Sequence, residues 1–298
     1  MGSKNIKVLI YGVNGFIGKN LVIQLAKSKF DVYAVSSSKN IDISDKDYCY
    51  FKKVKFLKVN KLSLYNFDFA ILNSSPNNKE TSNKAFKTSI ISYKKILSKL
   101  NKDITLVYLS SGIVCFKNNL NKSNMIYRSY KVYMENLIER FSFKNRNKYK
   151  IIRIFSTFGP YMPLNKYAIG CLILSLLNNR IIKLNTDGKF YRDFIYVNDL
   201  IKILIYEIKN SRSVKLNINS KRFFFKSLCK DTFNHFDSNK LIIFGNKPDK
   251  IKNYYANPKA FDKVIPNFKF KPIINSLSYS LNWFKSVKYI EFKINYEK

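Results

Sequence analysis

The chain has 298 residues, 46% of them hydrophobic, which suits one large or two small domains with a substantial core. Its 4 Cys are scattered and form no Cys-x-x-Cys pair. That excludes a zinc module and a disulfide scaffold and predicts a reducing, cytoplasmic setting, in keeping with a start that enters a strand rather than a leader. The net charge of +35 is mostly Lys spread along the whole chain, so it reads as a solvated surface whose field draws anions. No specific nucleic-acid partner is expected from it. The most apolar stretch, Tyr167 to Leu177, is too short to span a bilayer, and no membrane partner is expected either.

Ile6 to Tyr11 is short, apolar and β-branched, and predicts a buried strand. It runs into Gly12, Gly15 and Gly18, three of only 9 Gly in the chain. Phe16 to Lys27 follows, with Ile17, Leu21 and Leu25 at helical spacing. Strand, glycine turn and helix in that order predict a dinucleotide site, because free N–H groups at a helix start favour a pyrophosphate and glycine keeps its approach open. Gly12, Asn14, Gly15, Phe16, Ile17 and Gly18 are the candidate cofactor contacts there. A second strand, Asp31 to Val35, ends in Ser36-Ser37-Ser38-Lys39, where a NAD-binding fold carries an acid for the ribose hydroxyls. Hydroxyls and a Lys suit a 2′-phosphate, so Ser36 and Lys39 favour NADP(H) over NAD by a small margin.

Val54 to Val59 predicts a third strand ending at Asn60, and Phe67 to Leu72 a fourth ending in Asn73-Ser74-Ser75-Pro76. Small polar residues at carboxyl ends of strands are where a doubly wound sheet takes its ligand. A helix from Glu80 to Leu100, a fifth strand from Ile104 to Leu109 ending in Ser110-Ser111-Gly112, a helix from Ile126 to Phe143 and a sixth strand from Lys150 to Phe155 continue the alternation. The pattern predicts an α/β fold, a Rossmann-type doubly wound parallel sheet over residues 1–160. Gly159-Pro160 and Pro163 open a smaller α/β part over 161–298, expected to bind substrate. It holds a helix from Ala168 to Asn178, a short segment from Ile181 to Leu184, a turn at Asp187-Gly188, a strand from Phe194 to Val197 and a helix from Asp199 to Lys209. Residues 191–218 are expected to return to the first part, and the two parts to share a cleft.

Tyr127 and Lys131 stand at i and i+4 on a predicted helix, and so on one face. An ammonium beside a phenol favours the phenolate, which predicts a lowered Tyr127 pKa and a general acid or base usable near neutral pH. Ser111, at a strand end, can hydrogen-bond the same substrate oxygen. The spacing alone is weak, because Tyr48/Lys52, Tyr255/Lys259 and Tyr289/Lys293 share it. Order selects Tyr127 and Lys131: glycine turn, four more strands, a Ser at a strand end, then the pair on the next helix. His235, the one His, has no Cys or carboxylate cluster near it and reads as a packing or surface residue, so no metal is expected.

Taken together, these residues resemble the extended short-chain dehydrogenases that act on nucleotide sugars, the NAD-dependent epimerase/dehydratase family. The resemblance covers nearly the whole chain. It rests on Gly12-x-x-Gly15-x-x-Gly18, on Ser110-Ser111-Gly112-Ile113-Val114, on Tyr127 to Lys131, on Arg153 to Pro160 (similar to Arg-x-x-Asn-x-Tyr-Gly-Pro) and on Gly188 to Asp199 (similar to Gly-x-x-x-Arg-Asp-Phe-x-x-Val-x-Asp). It implies Ser111, Tyr127 and Lys131 as a catalytic triad, with Lys131 also holding the nicotinamide ribose. It further implies Asn60, Ser74, Ser75 and Phe155 beside the cofactor, Ser156 at the substrate and Arg192 on a substrate diphosphate. NAD or NADP(H) is the implied cofactor, a nucleotide-diphosphate sugar the implied substrate, and a homodimer through the helices near 80–100 and 126–143 the implied assembly.

The departures from the family pattern narrow the chemistry. Asn60 replaces an adenine-contacting Asp, Ser156 an Asn, and Cys115-Phe116 a Tyr-Gly pair. Gly112 and Ile113 stand where the family's 4,6-dehydratases carry an Asp-Glu pair, and neither can move a proton. What remains is redox chemistry at a sugar carbon, C4 first, without elimination. An epimerase and an NADPH-dependent 4-ketoreductase both fit. A non-catalytic RNA-binding or structural protein suits the charge but leaves the ordered Ser111, Tyr127 and Lys131 without a role.

Overall fold

The structure, a computed structural model, describes residues 5–297 apart from 29, 77–82, 119, 179, 219, 239–241 and 250. The first part runs β1 (Lys7–Tyr11), α1 (Phe16–Lys27), β2 (Asp31–Val35), β3 (Asn40–Ser44), a short α2 (Tyr48–Phe51), β4 (Lys55–Phe56), β5 (Phe69–Leu72), α3 (Asn83–Leu97), β6 (Thr105–Ser111), α4 (Lys122–Asn145) and β7 (Tyr149–Ile154). The remainder runs β8 (Ser156–Phe158), α5 (Ala168–Asn178), β9 (Ile182–Thr186), β10 (Tyr191–Tyr196), α6 (Val197–Lys209), β11 (Val214–Asn217), β12 (Arg222–Phe224), α7 (Phe225–His235), β13 (Ile242–Lys247), β14 (Asn253–Tyr254), α8 (Pro258–Asp262), α9 (Ile273–Ser286) and β15 (Tyr289–Lys293).

Seven of these strands form one sheet in the order β11-β7-β6-β5-β1-β2-β4, every pair parallel. The order reverses between β1 and β5, which places a ligand crevice beyond their carboxyl ends. The central strands β1, β5 and β6 carry continuous apolar runs because both faces are covered. Alternate residues feed two cores. Val8, Ile10, Ile71, Val107 and Ile152 join Leu21 and Leu25 of α1 and Leu200 and Leu204 of α6. Leu9, Ala70, Leu106, Tyr108 and Ile151 join Phe86 and Tyr93 of α3 and Tyr130, Met134 and Ile138 of α4. Smaller sheets lie beyond: β12-β10-β14 with β8 on β10, the parallel pair β13-β9, and the antiparallel pair β15-β3.

Two expectations need correction, and one feature was missed. The third strand is only Lys55–Phe56: the apolar run continues into a 3-10 turn, Val59–Leu64, that buries Leu62 in the second core and leaves Asn60 exposed. The helix expected from Glu80 ends at Leu97, and its start at 80–82 lies outside the described residues. The β3–β15 pair was not foreseen. Among the described residues no helix is long and apolar enough to cross a membrane. One buried ion pair ties α6 to the sheet: Lys150 of β7 meets Glu207 at 3.4 Å, both side chains fully buried, and Arg212 reaches the other oxygen of Glu207 at 3.2 Å.

Candidate active site

The turn after β1 is shaped for a close approach. Gly12 has φ +100°, and a Cβ there would lie 2.5 Å from the backbone N of Ser74. A Cβ at Gly18 would run into the Gly12 carbonyl. These contacts press the turn against the end of β5, where Asn73 Nδ2 donates to Gly12 O at 3.5 Å. Gly15 starts α1 with extended backbone and no side-chain cap, and the first turn carries no acid. The first amides of α1 are therefore free to serve an anion, and the cradle fits a dinucleotide pyrophosphate.

Asn14 Oδ1 accepts from Ser36 Oγ at 3.0 Å, which joins the glycine turn to the end of β2. Ser36 Oγ also accepts from Ser38 N at 3.1 Å. Tyr296 closes this corner from the far end of the chain, its hydroxyl 3.2 Å from Ser36 O and 3.3 Å from Ser38 O. Lys39 is exposed beside it.

A cavity of about 810 Å³ opens at the carboxyl ends of β5, β6 and β7. It brings together Phe16, Ile17, Ser75, Ser111, Tyr127, Lys131, Phe155, Ser156 and Arg192. Gly12, Asn14, Gly15, Gly18, Ser36, Lys39, Asn60 and Ser74 do not line it; Gly12, Gly15, Gly18 and Ser74 belong to the turn just described, and Ser36 and Lys39 to the corner beside it.

Ser111 ends β6, and its Oγ accepts from Ile113 N at 3.3 Å. Tyr127 and Lys131 lie one turn apart on α4, whose start is capped by Asn121 Oδ1 accepting from Asn124 N at 2.7 Å. Lys131 is 3% exposed. Its Nζ donates to Leu109 O at 3.1 Å and lies 5.7 Å from the Tyr127 ring centroid. The expected lowering of the Tyr127 pKa is not met. Burial pushes that phenol well up, the Tyr254 phenol adds to the rise, and a hydrogen bond with Ser75 opposes it. Lys131 is itself pushed down to about 7 by burial, with the Glu135 charge opposing. Desolvation outweighs the pairing on which the i, i+4 rule rests.

Arg192, on β10, is held by Asp249 at 2.9 Å and donates to Tyr191 O at 2.8 Å. Its guanidinium carbon sits 4.3 Å from the Phe190 ring centroid. Sequence reading missed Tyr254, whose hydroxyl lies 3.2 Å from Ser111 Oγ and whose ring stacks on Phe116 at 5.1 Å and tilts on Phe155 at 5.1 Å. Burial pushes its phenol up to about 12. It also missed Asp249 and Thr157; the Thr157 Oγ1 is buried without a partner among the described residues, in a residue that lines the cavity. No local motif marks Tyr254 or Asp249, since only the pairing of β14 with β10 carries that stretch to Arg192. Gly112 explains itself sterically: a Cβ there would lie 2.5 Å from Phe155 Cδ1.

The chain matches the family model described as "NAD dependent epimerase/dehydratase family" over residues 8–219. A search of curated proteins gives no match. Among solved structures, UDP-N-acetylglucosamine 4-epimerase from Methanobrevibacter ruminantium M1, in complex with UDP-N-acetylmuramic acid, is similar with a TM-score of 0.78 at 20% identity, over 95% of this chain and 99% of that one. UDP-glucose 4-epimerase from Thermotoga maritima, with UDP-glucose, gives 0.77 at 16% identity over 94% and 99%. UDP-glucuronic acid 4-epimerase from Bacillus cereus, with UDP-glucuronic acid and NAD, gives 0.73 at 17% identity over 94% and 99%. These likenesses establish the fold.

Proposed function

This chain belongs to the NAD dependent epimerase/dehydratase family, and from that premise we propose that it is a nucleotide-sugar 4-epimerase using NAD. The observation that carries the reading is the cavity lining. Ser111, Tyr127 and Lys131 gather there, while Gly112 is wedged under Phe155 with no room for an acid, and the one lining carboxylate among the described residues, Asp249, is paired with Arg192. Among the described residues the lining thus supplies one set of groups for moving a hydroxyl proton and no further carboxylic acid for an elimination. The similar solved structures named as 4-epimerases of UDP-sugars agree with this choice.

In this reading Tyr127 Oη takes the proton from the C4 hydroxyl and later returns it. Ser111 Oγ gives up Tyr254 and hydrogen-bonds the same oxygen, while the Lys131 ammonium favours the phenolate. Arg192 exchanges Asp249 for the substrate diphosphate, a charge-assisted contact of like geometry. Gly12, Gly15, Gly18 and the α1 amides hold the cofactor pyrophosphate, with Asn14, Phe16, Ile17, Ser36, Asn60, Ser74, Ser75 and Phe155 around it. The nicotinamide, when bound, supplies the hydride acceptor and then the donor. The same reading gives a cytoplasmic enzyme and a homodimer built on α3 and α4.

Tyr127→Phe removes only the proton-carrying hydroxyl. The variant is expected to keep its fold and cofactor affinity and to lose interconversion of UDP-sugar C4 epimers by roughly a hundredfold or more. Tyr48→Phe, Tyr255→Phe and Tyr289→Phe keep the catalytic step. Near-wild-type turnover by a folded Tyr127→Phe overturns the assignment. One feature favours a second reading, the NADPH-dependent ketoreductase: the Ser-rich end of β2 with Lys39. An epimerase reaches an equilibrium mixture with catalytic NAD, whereas a reductase consumes NADPH stoichiometrically.

A further inference from the structure

One short stretch of chain covers both ends of the candidate site. Asp249 Oδ2 lies 2.9 Å from Arg192 Nη2, and the Tyr254 hydroxyl lies 3.2 Å from Ser111 Oγ. All four residues line the cavity. The stretch is carried by β14, which pairs with β10 in the register Tyr191↔Asn253 and Arg192↔Tyr254. Arg192 itself fastens it at three points. These are the Asp249 carboxylate, the Lys252 carbonyl at 3.3 Å from Nη1, and the Tyr254 ring, whose centroid is 5.7 Å from the guanidinium carbon. The same ring stacks on Phe116 and tilts on Phe155, which aims its hydroxyl at Ser111.

We infer that Asp249 and Tyr254 are specificity-determining residues that stand in for the two ends of the substrate, and that Arg192 couples them, so that Ser111 is released only by a ligand carrying a diphosphate. The inference deepens the proposed function and rests on its assignment of Ser111 and Arg192. The Arg192 side chain is 13% exposed, and a carboxylate and a diphosphate crowded onto it repel each other where little water screens them. The diphosphate brings the greater charge and more oxygens to the fork of N–H donors, so Asp249 gives way. Once the guanidinium turns to its ligand, the Lys252 carbonyl and the Tyr254 ring lose the same partner. Tyr254 is then held by its aromatic neighbours and by the Ser111 hydrogen bond, for which the sugar hydroxyl competes. Binding energy from the remote half of the substrate thus opens the reacting half. A ligand with one phosphate leaves Tyr254 on Ser111.

The test uses the full chain with saturating NAD, which covers the glycine turn, and 3-fluorotyrosine at position 254 alone, read by 19F NMR. UDP is expected to move the 254 resonance toward its place with a UDP-sugar bound, although UDP carries no sugar beyond the diphosphate to touch Ser111. UMP at saturation is expected to leave the resonance in place. Calorimetric titration of UDP supplies the second readout. Tyr254→Phe keeps the ring and removes the hydroxyl, and is expected to tighten UDP about two- to tenfold. Ser111→Ala removes the other partner of the same hydrogen bond and is expected to tighten UDP alike, with no further gain in the double variant. Asp249→Asn is expected to tighten it at least as much. A residue that only shapes or contacts the site gives weaker or unchanged binding when altered, and that result in Tyr254→Phe or Asp249→Asn overturns the inference. So does bound UDP that leaves the 254 resonance unmoved, UMP that moves it equally, or a chain that binds no UDP. Failure of the parent reading looks different: UDP shifts and tightens as stated while Tyr127→Phe keeps its turnover.

Discussion

Burying the ammonium of Lys131 beside one carbonyl should cost stability in a way that titration exposes. Its pKa is about 7 in the fold against 10.5 for the free side chain. Between those values the unfolded chain binds more protons than the native one, so stability rises with pH across this window and is lowest below it. Lys131→Met keeps the volume and removes the charge. It is expected to be inactive yet more stable, by roughly 2–4 kcal/mol below pH 7, with the advantage shrinking toward pH 10. Denaturant unfolding of both proteins across that range checks it; an advantage that does not depend on pH refutes it. The pair itself was legible from its order after the glycine turn and strand-end Ser111. The direction of the Tyr127 shift was not, because a spacing rule carries no information about burial. Tyr254 and Asp249 were beyond reach for another reason, since their place at the site is set by β10–β14 pairing and not by anything local in sequence.

The elements that frame the cofactor corner divide along the same line. β1, β2, β5 and β6 were legible because strands buried on both faces carry unbroken apolar runs, and β7 from its place in the alternation, since Lys150 and Arg153 interrupt it. β3 and β15 were not: each is only five residues long, with Ile41 and Ile43 inward in β3 and a single buried residue in β15, too short a pattern to stand out in a chain rich in Ile and Phe. The run at 54–59 misled because an apolar stretch looks the same in a strand and in a turn anchored in the core. Function meets these elements at Lys39, whose backbone carbonyl accepts from Ile294 N at 2.9 Å just after β15. If its ammonium takes a 2′-phosphate, Lys39→Ala is expected to weaken NADP(H) about ten- to a hundredfold and leave NAD(H) unchanged. Tyr296→Phe, which frees the Ser36–Ser38 turn, is expected to weaken both cofactors alike. Titration of each cofactor without substrate checks both outcomes, and a preference for NAD untouched by Lys39→Ala removes Lys39 from the site.

Charge and exposed apolar surface pull the whole molecule in opposite directions. α3 and α4 present Ile91 at 66% exposure and Phe143 at 90%, with Tyr133 also exposed, on neighbouring helices of one layer. A two-fold pairing of that layer would cover them. The net charge of +35 opposes any self-association at low ionic strength. A homodimer is therefore expected by light scattering at micromolar concentration, tightening as salt is added, with Ile91→Lys and Phe143→Lys shifting it toward monomer. Salt that loosened the dimer would point to ion pairing in place of the apolar contact. Non-specific binding to nucleic acid through phosphates would instead weaken with salt, so one salt titration separates it from dimerisation.

The β3–β15 ladder gives the molecule a temporal property. β3 leads straight out of the Ser36–Lys39 turn, and its Asn40 side chain meets Glu291 of β15, 251 residues later. As the chain emerges from the ribosome, the glycine turn and the first strands appear early, while the strand that completes their rim arrives last. Until then β3 is an unpaired edge, and the ribose corner lacks Tyr296. Closing so long a loop is entropically slow, so the corner is among the last regions to mature. A chain cut before β15 is therefore expected to leave the β3 edge unpaired and the Ser36–Ser38 turn without Tyr296.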